Sequence, residues 1–250
     1  MGALYGAQQP PSTLPPAMTD RPRITVVVPI HNEADFLEGA LVTLRKEMAT
    51  VPADVEILLA ENGSTDGSGE LAESLSADAA EVRVLRLPQP DYGAAMRAGF
   101  TEAAGDWAVN FDIDYFSAAF LRAGLECGEA DLVLASKRIE GADDQRSILR
   151  RTGTIVFNLL LRGLFGAKVS DTHGMKMVST AVVEEIVPQV RSNKDLFDTE
   201  LVIRAERAGY RVAEVPAVVE ELRDARSRFL TRVPRTVIGV IRIRWWLWRE

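Results

Sequence analysis

The chain has 250 residues, of which 47% are hydrophobic and 26% are charged, and these values suit one α/β domain with a full core. The net charge of −7 argues against general nucleic-acid binding, so we expect no nucleic-acid partner. The single cysteine, Cys127, excludes an internal disulfide and a cysteine-based metal site, and the two histidines cannot build a zinc site by themselves.

Residues 1–20 are rich in proline, glycine, alanine and glutamine. They lack the charged start and apolar core of a signal peptide, and we predict a disordered leader over this range. No later stretch approaches the roughly 20 apolar residues that a membrane-spanning helix needs. Together with the single cysteine, this pattern indicates a cytoplasmic setting.

Short runs of apolar and β-branched residues alternate with helical spacings as far as Lys137. Such runs are typical of strands buried on both faces, and their alternation with helices predicts an α/β fold with a mainly parallel sheet covered on both sides. The predicted strands cover residues 24–29, 55–60, 82–87, 107–111 and 131–135, and the predicted helices cover 34–49, a segment through Leu71 and Leu75, and 94–103.

The second half of the chain loses this alternation. Its pattern predicts a long helix over 146–165, a short strand over 175–178, a helix over 199–208 and a strand over 211–219. A mixed second half of this kind usually completes a substrate site on top of the sheet. We therefore expect one catalytic domain over residues 21–230, followed by a basic, tryptophan-rich amphipathic segment over 231–250.

Polar clusters follow three of the predicted strands, at residues 31–33, 61–64 and 112–114. In open parallel sheets, ligands bind beyond the carboxyl ends of the strands. This coincidence predicts a ligand site at that edge of the sheet.

Asp112 and Asp114 are the candidate metal ligands. Residues two apart in an extended chain project to the same side, and two neighbouring carboxylates repel each other without a cation. Their oxygens suit Mg²⁺ or Mn²⁺, which commonly take one or two carboxylates plus substrate phosphate oxygens. A solvated turn is the alternative, but the position directly after an apolar strand favours a metal.

The loop over residues 61–68 reads ENGSTDGS. Small residues and two glycines allow tight turns and close approach of a ligand to the backbone. Asp66 fits a cap of the following helix, and we expect the edge of the loop to touch a nucleotide as well. Glu33 and Glu61 carry carboxylates that suit a base or a ribose, although Glu33 also fits an acid in the first turn of a helix.

Three polar residues in the second half leave alternatives open. Asp171 and His173 fit a contact to a sugar or an acceptor, and they also fit a capped turn. Asp198 opens a predicted helix, where it fits an N-cap as well as a base or an acceptor contact.

Positive charge concentrates toward the end of the sequence. Residues 222–250 carry a net charge of +6, against −13 for the rest of the chain. This asymmetry suggests an anionic partner. The cations that suit phosphate groups, each of which also fits an ordinary surface charge, are Lys137, Arg138, Arg223, Arg226 and Arg228.

Residues 236–248 read TVIGVIRIRWWLW. The segment is too short to span a bilayer but is typical of an interfacial helix, with tryptophan at headgroup depth and arginine at the lipid phosphates. This predicts peripheral contact with the inner face of the cell membrane. The alternative is a tail packed on the protein body or in a homodimer interface.

Several motifs, in order, resemble those of glycosyltransferase family 2. They are VVVPIHNE at 26–33, ENGSTDGS at 61–68, YGAAMRAGF at 92–100 and the Asp-x-Asp pair at 112–114. ASKR at 135–138, SDTHGMK at 170–176 and FDTELVIRAERAGYRVAEVP at 197–216 resemble the branch that makes dolichyl- or polyprenyl-phosphate sugars. The resemblance covers roughly residues 22–230.

The resemblance implies a GT-A fold, which is a Rossmann-like three-layer sandwich, a UDP- or GDP-sugar donor and inversion at the anomeric carbon. Asp112 and Asp114 would hold Mg²⁺ or Mn²⁺ against the diphosphate, with Lys137, Arg138, Arg223, Arg226 and Arg228 at donor or acceptor phosphates. By position, the nucleotide-sugar site would include Pro29, Asn32, Glu33, Glu61, Asn62, Asp66, Gly93, Arg97, Asp112 and Ile113.

The chain also departs from that branch. Glu61-Asn62 replaces a common Asp-Asp pair, Phe116 replaces a polar residue that assists the metal, and the transmembrane helices of the branch are not predicted. We expect a lipid-phosphate acceptor, which is already anionic and needs no base. The alternatives are a small-molecule or natural-product hydroxyl, for which Asp198 is the candidate base, and a nucleotide-sugar-binding module without catalysis.

Overall fold

The computed structural model describes residues 21–137, 139–140, 143–144, 148–193, 196–219 and 229–250. The predicted leader over residues 1–20 lies outside these ranges, as do Arg138, Arg223, Arg226 and Arg228. The predicted α/β fold is confirmed, because a central sheet of seven strands carries helices on both faces.

Strands and helices alternate through the first half as predicted. The strands are β1 (Arg23–Ile30), β2 (Asp54–Asn62), β3 (Val82–Leu87), β4 (Trp107–Asn110), β5 (Leu132–Ser136), β6 (Asp143–Asp144), β7 (Lys176–Ser179), β8 (Val212–Pro216) and β9 (Val218–Val219). The helices are α1 (Ala34–Met48), α2 (Ser68–Ala77), α3 (Tyr92–Thr101), α4 (Ala118–Glu126), α5 (Ile148–Phe165), α6 (Thr180–Ile186), α7 (Phe197–Ala208) and α8 (Phe229–Arg249), with a 3₁₀ turn at Val187–Gln189.

The central sheet has the strand order β3-β2-β1-β4-β7-β5-β8. All neighbours pair in parallel except at β7, which is inserted antiparallel between β4 and β5. Because β7 runs the other way, its first residue, Lys176, pairs with Asn110 at the carboxyl end of β4. The topology therefore brings the start of β7 to the edge at which β1, β2 and β4 end.

The central strand β1 is buried on both faces, which explains its continuous β-branched sequence. Val26 and Val28 pack in one core with Leu37 of α1 and Phe120 of α4. Val27 points the opposite way, into a second core that includes side chains of α3, α6 and α7. The result is three layers, with the sheet in the middle.

The strand predicted over 211–219 is two strands, which is a correction. β8 pairs with β5, whereas β9 pairs with β6 in a separate two-stranded sheet. The change of partner falls at Ala217, whose N–H donates to the Ser136 carbonyl at 2.9 Å directly after Pro216, a residue without an N–H.

Two short helices were not predicted. Both begin at a serine cap: Ser117 Oγ accepts from the Phe120 N–H at 3.2 Å before α4, and Ser179 Oγ accepts from the Val182 N–H at 3.4 Å before α6. A serine at a helix start was therefore the available signal for each.

Helix α8 packs on the body with one face. Val240, Ile243 and Leu247 share a buried cluster with Leu161 of α5 and Ile203 of α7. None of the helices in the described ranges combines the length and the apolar character needed to cross a bilayer.

Candidate active site

The loops that follow β1 and β2 are hydrogen-bonded to each other. Asn32 adopts a left-handed backbone conformation (φ 54°), which asparagine tolerates better than most residues. Its side-chain oxygen accepts from the Thr65 N–H at 2.9 Å, while Ser64 Oγ accepts from the Asn32 N–H at 3.0 Å. Asp66 adds a bond from the Ala34 N–H at 3.1 Å, so the second loop is fixed to the start of α1.

Ser68 is a buried link inside this network. Its hydroxyl donates to Asp66 Oδ1 at 2.5 Å and accepts from the Glu33 N–H at 2.8 Å. The hydrogen bond from Ser68 is the main reason that the pKa of Asp66 lies below its ordinary value. The polar ends of β1 and β2 are therefore one hydrogen-bonded unit, which we call the donor loops (residues 31–34 and 61–68).

Glu61 lies buried at the end of β2. Its carboxylate accepts from the Ser64 N–H at 2.6 Å and faces Arg86 Nε at 3.4 Å. A cleft of about 340 Å³ opens beside it, lined by Glu61, Gly63, Ser64, Arg86, Leu87 and Pro88. Glu61 therefore both shapes the loop and forms a wall of this cleft.

The other predicted donor residues divide between the cleft and its supports. Asn62 accepts from the Asp91 N–H at 2.7 Å and so fixes the start of α3, where Gly93 is buried. Arg97 lies on the same helix but points to the segment before α7, where it donates to the Val190 carbonyl at 2.9 Å. The structure thus does not bring Arg97 to the donor loops.

Asp112 and Asp114 lie in a tight turn, and the predicted extended conformation at these residues is wrong. Asp112 and Tyr115 exchange backbone hydrogen bonds of 3.2 and 3.0 Å across the turn. Ile113 is buried in the core and anchors the turn, whereas the Asp112 side chain reaches solvent. The turn, and not strand geometry, keeps the two carboxylates close together.

The charge on Asp112 is poorly compensated. Its side chain reaches solvent at the mouth of the site, but the surrounding protein removes much of its hydration, and this desolvation is the main cause that raises its pKa to about 6. Repulsion from Asp198 and Asp114 raises this pKa further, and Lys176 and Lys137 oppose the rise. The turn is therefore a site of excess negative charge.

Lys176 is fully buried (0% exposed) at the start of β7. Its ammonium lies 3.1 Å from Asp198 Oδ1 and donates to the Gly174 carbonyl at 2.5 Å. Tyr92 donates its hydroxyl to Asp198 Oδ2 at 3.1 Å. Burial, with the carboxylates of Asp198 and Asp112, raises the pKa of Tyr92 well above its ordinary value, so the hydroxyl keeps its proton.

Asp171 and His173 lie beside this ion pair. Asp171 Oδ1 accepts from the His173 N–H at 3.0 Å, and Thr172 shares a hydrogen bond of 3.1 Å with Thr199 of α7. The His173 ring packs edge-on against Phe157 of α5, with 5.4 Å between centroids. Burial lowers the pKa of His173, although the Asp171 carboxylate opposes this shift. The lowered pKa favours a neutral imidazole.

Two carboxylate oxygens in this region lack a hydrogen-bond partner. They are Asp171 Oδ2 and Asp198 Oδ1, and no other buried side-chain nitrogen or oxygen of the described chain is in this state. Asp198 Oδ1 has the Lys176 ammonium at ion-pair distance but not in hydrogen-bond geometry. Because buried acceptors ordinarily have a partner, these atoms are placed to accept from a ligand.

Lys137 and Pro29 complete the predicted residues that the structure describes. Lys137 follows β5, and its ammonium lies next to Gly174: a Cβ atom built on this glycine would be 3.7 Å from it. Lys137 is therefore at the rim of the same site. Pro29 pairs with Ala60 inside the sheet and lies half-buried below the donor loops.

A larger cavity, of about 500 Å³, lies elsewhere, among the end of α5, the end of α7 and the start of β8. Three of the charged groups that line it already have partners: Glu206 accepts from the Lys168 N–H at 3.1 Å, Glu214 accepts from the Ser170 N–H at 3.0 Å, and Arg211 pairs with Glu129 and Asp131. We therefore place the active site at the carboxyl edge of the sheet, where acceptors without partners lie.

The sequence also matches a known protein family. The family described as Glycosyl transferase family 2 matches residues 25–186, which include β1, β2, the Asp112 turn and β7. This chain belongs to glycosyltransferase family 2. The predictions of the family, of a glycosyltransferase and of a GT-A-like α/β fold are thereby confirmed.

Three similar proteins show how far the likeness extends. Glycosyltransferase AglD of Haloferax volcanii is 29% identical over 89% of this chain, which spans only 37% of that protein. Polyprenol monophosphomannose synthase of Mycolicibacterium smegmatis is 31% identical over 86% of this chain and 83% of its own. Glucosyl-3-phosphoglycerate synthase of Mycobacterium tuberculosis, solved with Mn²⁺, UDP-glucose and phosphoglyceric acid, matches with a TM-score of 0.65 at 22% identity over 89% and 79% of the two chains.

In this glycosyltransferase, sequence reasoning missed Lys176 and Tyr92. Lys176 ends the SDTHGMK motif, but the sequence alone indicates no role for it, because its partner, Asp198, lies on another element. The available signal was a lysine at the start of a strand that is otherwise apolar, since such a lysine needs a buried anion.

Proposed function

We propose that this glycosyltransferase moves a hexose from a UDP- or GDP-sugar to an acceptor of the polyprenyl-phosphate type, with inversion and with a divalent metal. The observation that carries the proposal is that the buried oxygens Asp171 Oδ2 and Asp198 Oδ1 accept no hydrogen bond, with Asp198 near enough to the Asp112 turn to raise the pKa of Asp112. Sugar hydroxyls are donors that suit such acceptors, and a few convergent polar groups in a cleft fix a ligand's orientation.

The residues of the turn fit a divalent metal. Asp112 carries a raised pKa next to Asp114, and a cation would relieve this repulsion. The described residues contain no group of three or more ligating side chains, so two carboxylates would leave the remaining positions to diphosphate oxygens. Bound there, Mg²⁺ or Mn²⁺ would neutralise the charge that develops on the departing diphosphate.

The donor loops support the nucleotide. Glu61 and Ser64 form a wall of the cleft beside β2, and their hydrogen bonds hold this wall in place before any ligand binds. A preformed site of this kind reduces the ordering cost of binding. We assign the base and ribose to this cleft and the diphosphate to the Asp112 turn.

The reaction is an in-line displacement. An acceptor phosphate oxygen forms the new bond to the anomeric carbon, and the bond from that carbon to the diphosphate oxygen breaks with its electron pair on the nucleoside diphosphate. We assign Lys137, at the rim, to the phosphate charge, and Asp171 and Asp198, whose buried oxygens accept no hydrogen bond, to the orientation of the sugar.

The surroundings of Asp198 favour an anionic acceptor over an alcohol. The Asp198 carboxylate already contacts the Lys176 ammonium and the Tyr92 hydroxyl. It would have to exchange these contacts to take a proton from an alcohol, whereas a phosphate oxygen needs no base. The name of the 31% identical relative, polyprenol monophosphomannose synthase, supports the same acceptor class.

A transfer assay with matched acceptors tests the proposal. The protein is incubated with UDP-glucose, UDP-N-acetylglucosamine or GDP-mannose, with a polyprenyl phosphate in detergent or with phosphoglyceric acid, in Mn²⁺ or in EDTA. We expect one donor to give sugar-linked polyprenyl phosphate in Mn²⁺ and none in EDTA.

Transfer to phosphoglyceric acid but not to the lipid would contradict the proposed acceptor class but not the proposed glycosyltransferase activity. Full transfer in EDTA would remove the metal from the proposal. Donor binding by thermal shift without transfer to either acceptor, in any metal, would favour a binding module. A strongly bound donor stabilises by about 2.7 kcal/mol at a hundred times its dissociation constant, which such a shift detects.

A further inference from the structure

Exposed apolar side chains are concentrated on two helices. Of nine large hydrophobic residues exposed in the described chain, eight lie on α5 and α8. They are Ile155, Val156, Leu159, Val237, Ile238, Ile241, Trp245 and Trp248. Scattered apolar residues are ordinary on a protein surface, whereas a concentration of this kind marks an interaction site.

The two helices lie against each other and share a buried side. Leu161 of α5 and Val240, Ile243 and Leu247 of α8 belong to one cluster, together with residues of α7. The exposed residues lie on the opposite sides of these helices. Trp248, for example, is 73% exposed, one position along the chain from buried Leu247. We call this outward surface of α5 and α8 the two-helix face.

The two-helix face is bordered by positive charge. The sequences of α5 and α8 contain eight arginines and no aspartate or glutamate, although the whole chain has a net charge of −7. At 100° per residue, Arg242 and Arg249 lie on one side of the exposed stripe of α8, and Arg244 lies on the other. All three are exposed.

We propose that the two-helix face docks on an anionic lipid surface. Apolar side chains with tryptophan would enter the headgroup region, and the flanking arginines would meet lipid phosphates. A second copy of the chain fits less well, because a two-fold contact would bring two arginine-rich faces without acidic residues together. The inclusion of α5 distinguishes this surface from a membrane-binding tail alone.

The location of α5 gives the surface a use. Phe157, on the same helix as the exposed Val156, packs against His173 in the candidate site. A lipid surface held at the two-helix face would therefore lie near the side of the site that contains Asp171 and His173. The inference extends beyond the proposed function, since lipid docking does not depend on which sugar is transferred.

Vesicle co-sedimentation without donor or acceptor tests the inference. The full chain is mixed with vesicles of phosphatidylcholine alone or with added phosphatidylglycerol. We expect binding to the anionic vesicles and at least a tenfold loss of partitioning for Ile241→Glu/Trp248→Glu on α8 and for Val156→Glu/Leu159→Glu on α5. The matched control is Val42→Glu on α1, the ninth exposed residue, which should bind as the wild type does.

A charge variant and a mass measurement complete the design. Arg242→Gln/Arg244→Gln should lose about 30-fold on the anionic vesicles. Wild-type protein that stays in the supernatant would overturn the inference, and unchanged binding by the α5 variant would remove α5 from it. A dimer by light scattering that the α5 and α8 variants convert to monomer, with no vesicle binding, would assign the face to a second copy. Unchanged far-ultraviolet melting curves show that each variant is folded, and none of these outcomes alters the sugar-transfer test.

Discussion

The two sides of the candidate active site are built in different ways. In the donor loops, backbone and side-chain groups of residues 31–34 and 61–68 satisfy one another, so the structure there is complete without a ligand. The other side contains Asp171, His173, Lys176 and Asp198, and we call it the acceptor side after its hydrogen-bond acceptors. There a buried ion pair holds charge in place, and two carboxylate oxygens accept no hydrogen bond. The first arrangement fixes the shape of the loops. The second fixes the position of charged groups and leaves two oxygens that can accept hydrogen bonds from a substrate.

The largest expected effect comes from breaking the buried ion pair. Lys176→Met should lower the free energy of unfolding by about 3–5 kcal/mol, because it leaves the Asp198 carboxylate buried without its cation. Urea unfolding measures the change. The double variant Lys176→Met/Asp198→Asn should recover most of the stability, since it removes the uncompensated charge as well. If the single variant loses less than about 1 kcal/mol, the pair does not hold the acceptor side together.

Asp112→Asn should separate function from stability. We expect kcat/KM for sugar transfer to fall by about 10²- to 10³-fold, as for other losses of transition-state electrostatics. In EDTA the melting temperature should stay equal or rise, because the variant removes repulsion with Asp114 and Asp198. Asp78→Asn, at an exposed carboxylate after α2, is the matched control and should change neither quantity. A fall in melting temperature would show that Asp112 supports the fold.

The same contrast explains what the sequence could predict. β1 appears in the sequence as a continuous β-branched run and β2 as a largely apolar one, because most of their residues are buried. Their predicted bounds agree with the structure to within two residues. The polar residues of the donor loops follow these strands directly, so their position at the sheet edge could be inferred locally. The position of Asp112 and Asp114 at this edge could be predicted in the same way, although their geometry is a turn.

The acceptor side could not be assembled from local patterns. Lys176 meets Asp198 only because β7 enters the sheet antiparallel between β4 and β5. The sequence of this four-residue strand does not indicate whether it pairs in parallel or antiparallel. The C-terminal segment shows the same limit. Its amphipathic spacing predicted a helix, but the burial of Val240 and Ile243 against α5 and α7 is a tertiary contact.

Ser68→Ala tests the donor loops. The buried hydroxyl joins Asp66 to the Glu33 N–H, and its loss should cost about 1–3 kcal/mol and weaken donor binding. Ser76→Ala, on the same helix, removes only a hydroxyl that bonds to the carbonyl of Glu73 and should have a smaller effect. Donor titration by thermal shift provides the readout. Equal losses in the two variants would contradict a special role for Ser68.

The same variant has a pH signature. Because the Ser68 hydrogen bond lowers the pKa of Asp66 in the folded protein, its contribution to stability is present above the ordinary value of 3.8 and is lost as the pH falls through the lowered value. The difference in stability between wild type and Ser68→Ala should therefore shrink in acid. A difference that grows as the pH falls would show that Asp66 does not gain its charge stabilisation from Ser68.

The smallest effect is expected where α8 braces the acceptor side. Glu250 pairs at 2.8 Å with Arg204, which lies on the same helix, α7, as Asp198. Glu250→Gln should cost about 1 kcal/mol or less, since Glu250 is partly exposed, and should speed amide exchange in the last turns of α8.

Arg204 holds the pKa of Glu250 below 4.5, so wild type should lose its stability advantage over Glu250→Gln as the pH falls through the lowered value. Sugar transfer should be unchanged, because Lys176 and Tyr92 hold Asp198 locally; a parallel loss of activity would show that the acceptor side depends on α8.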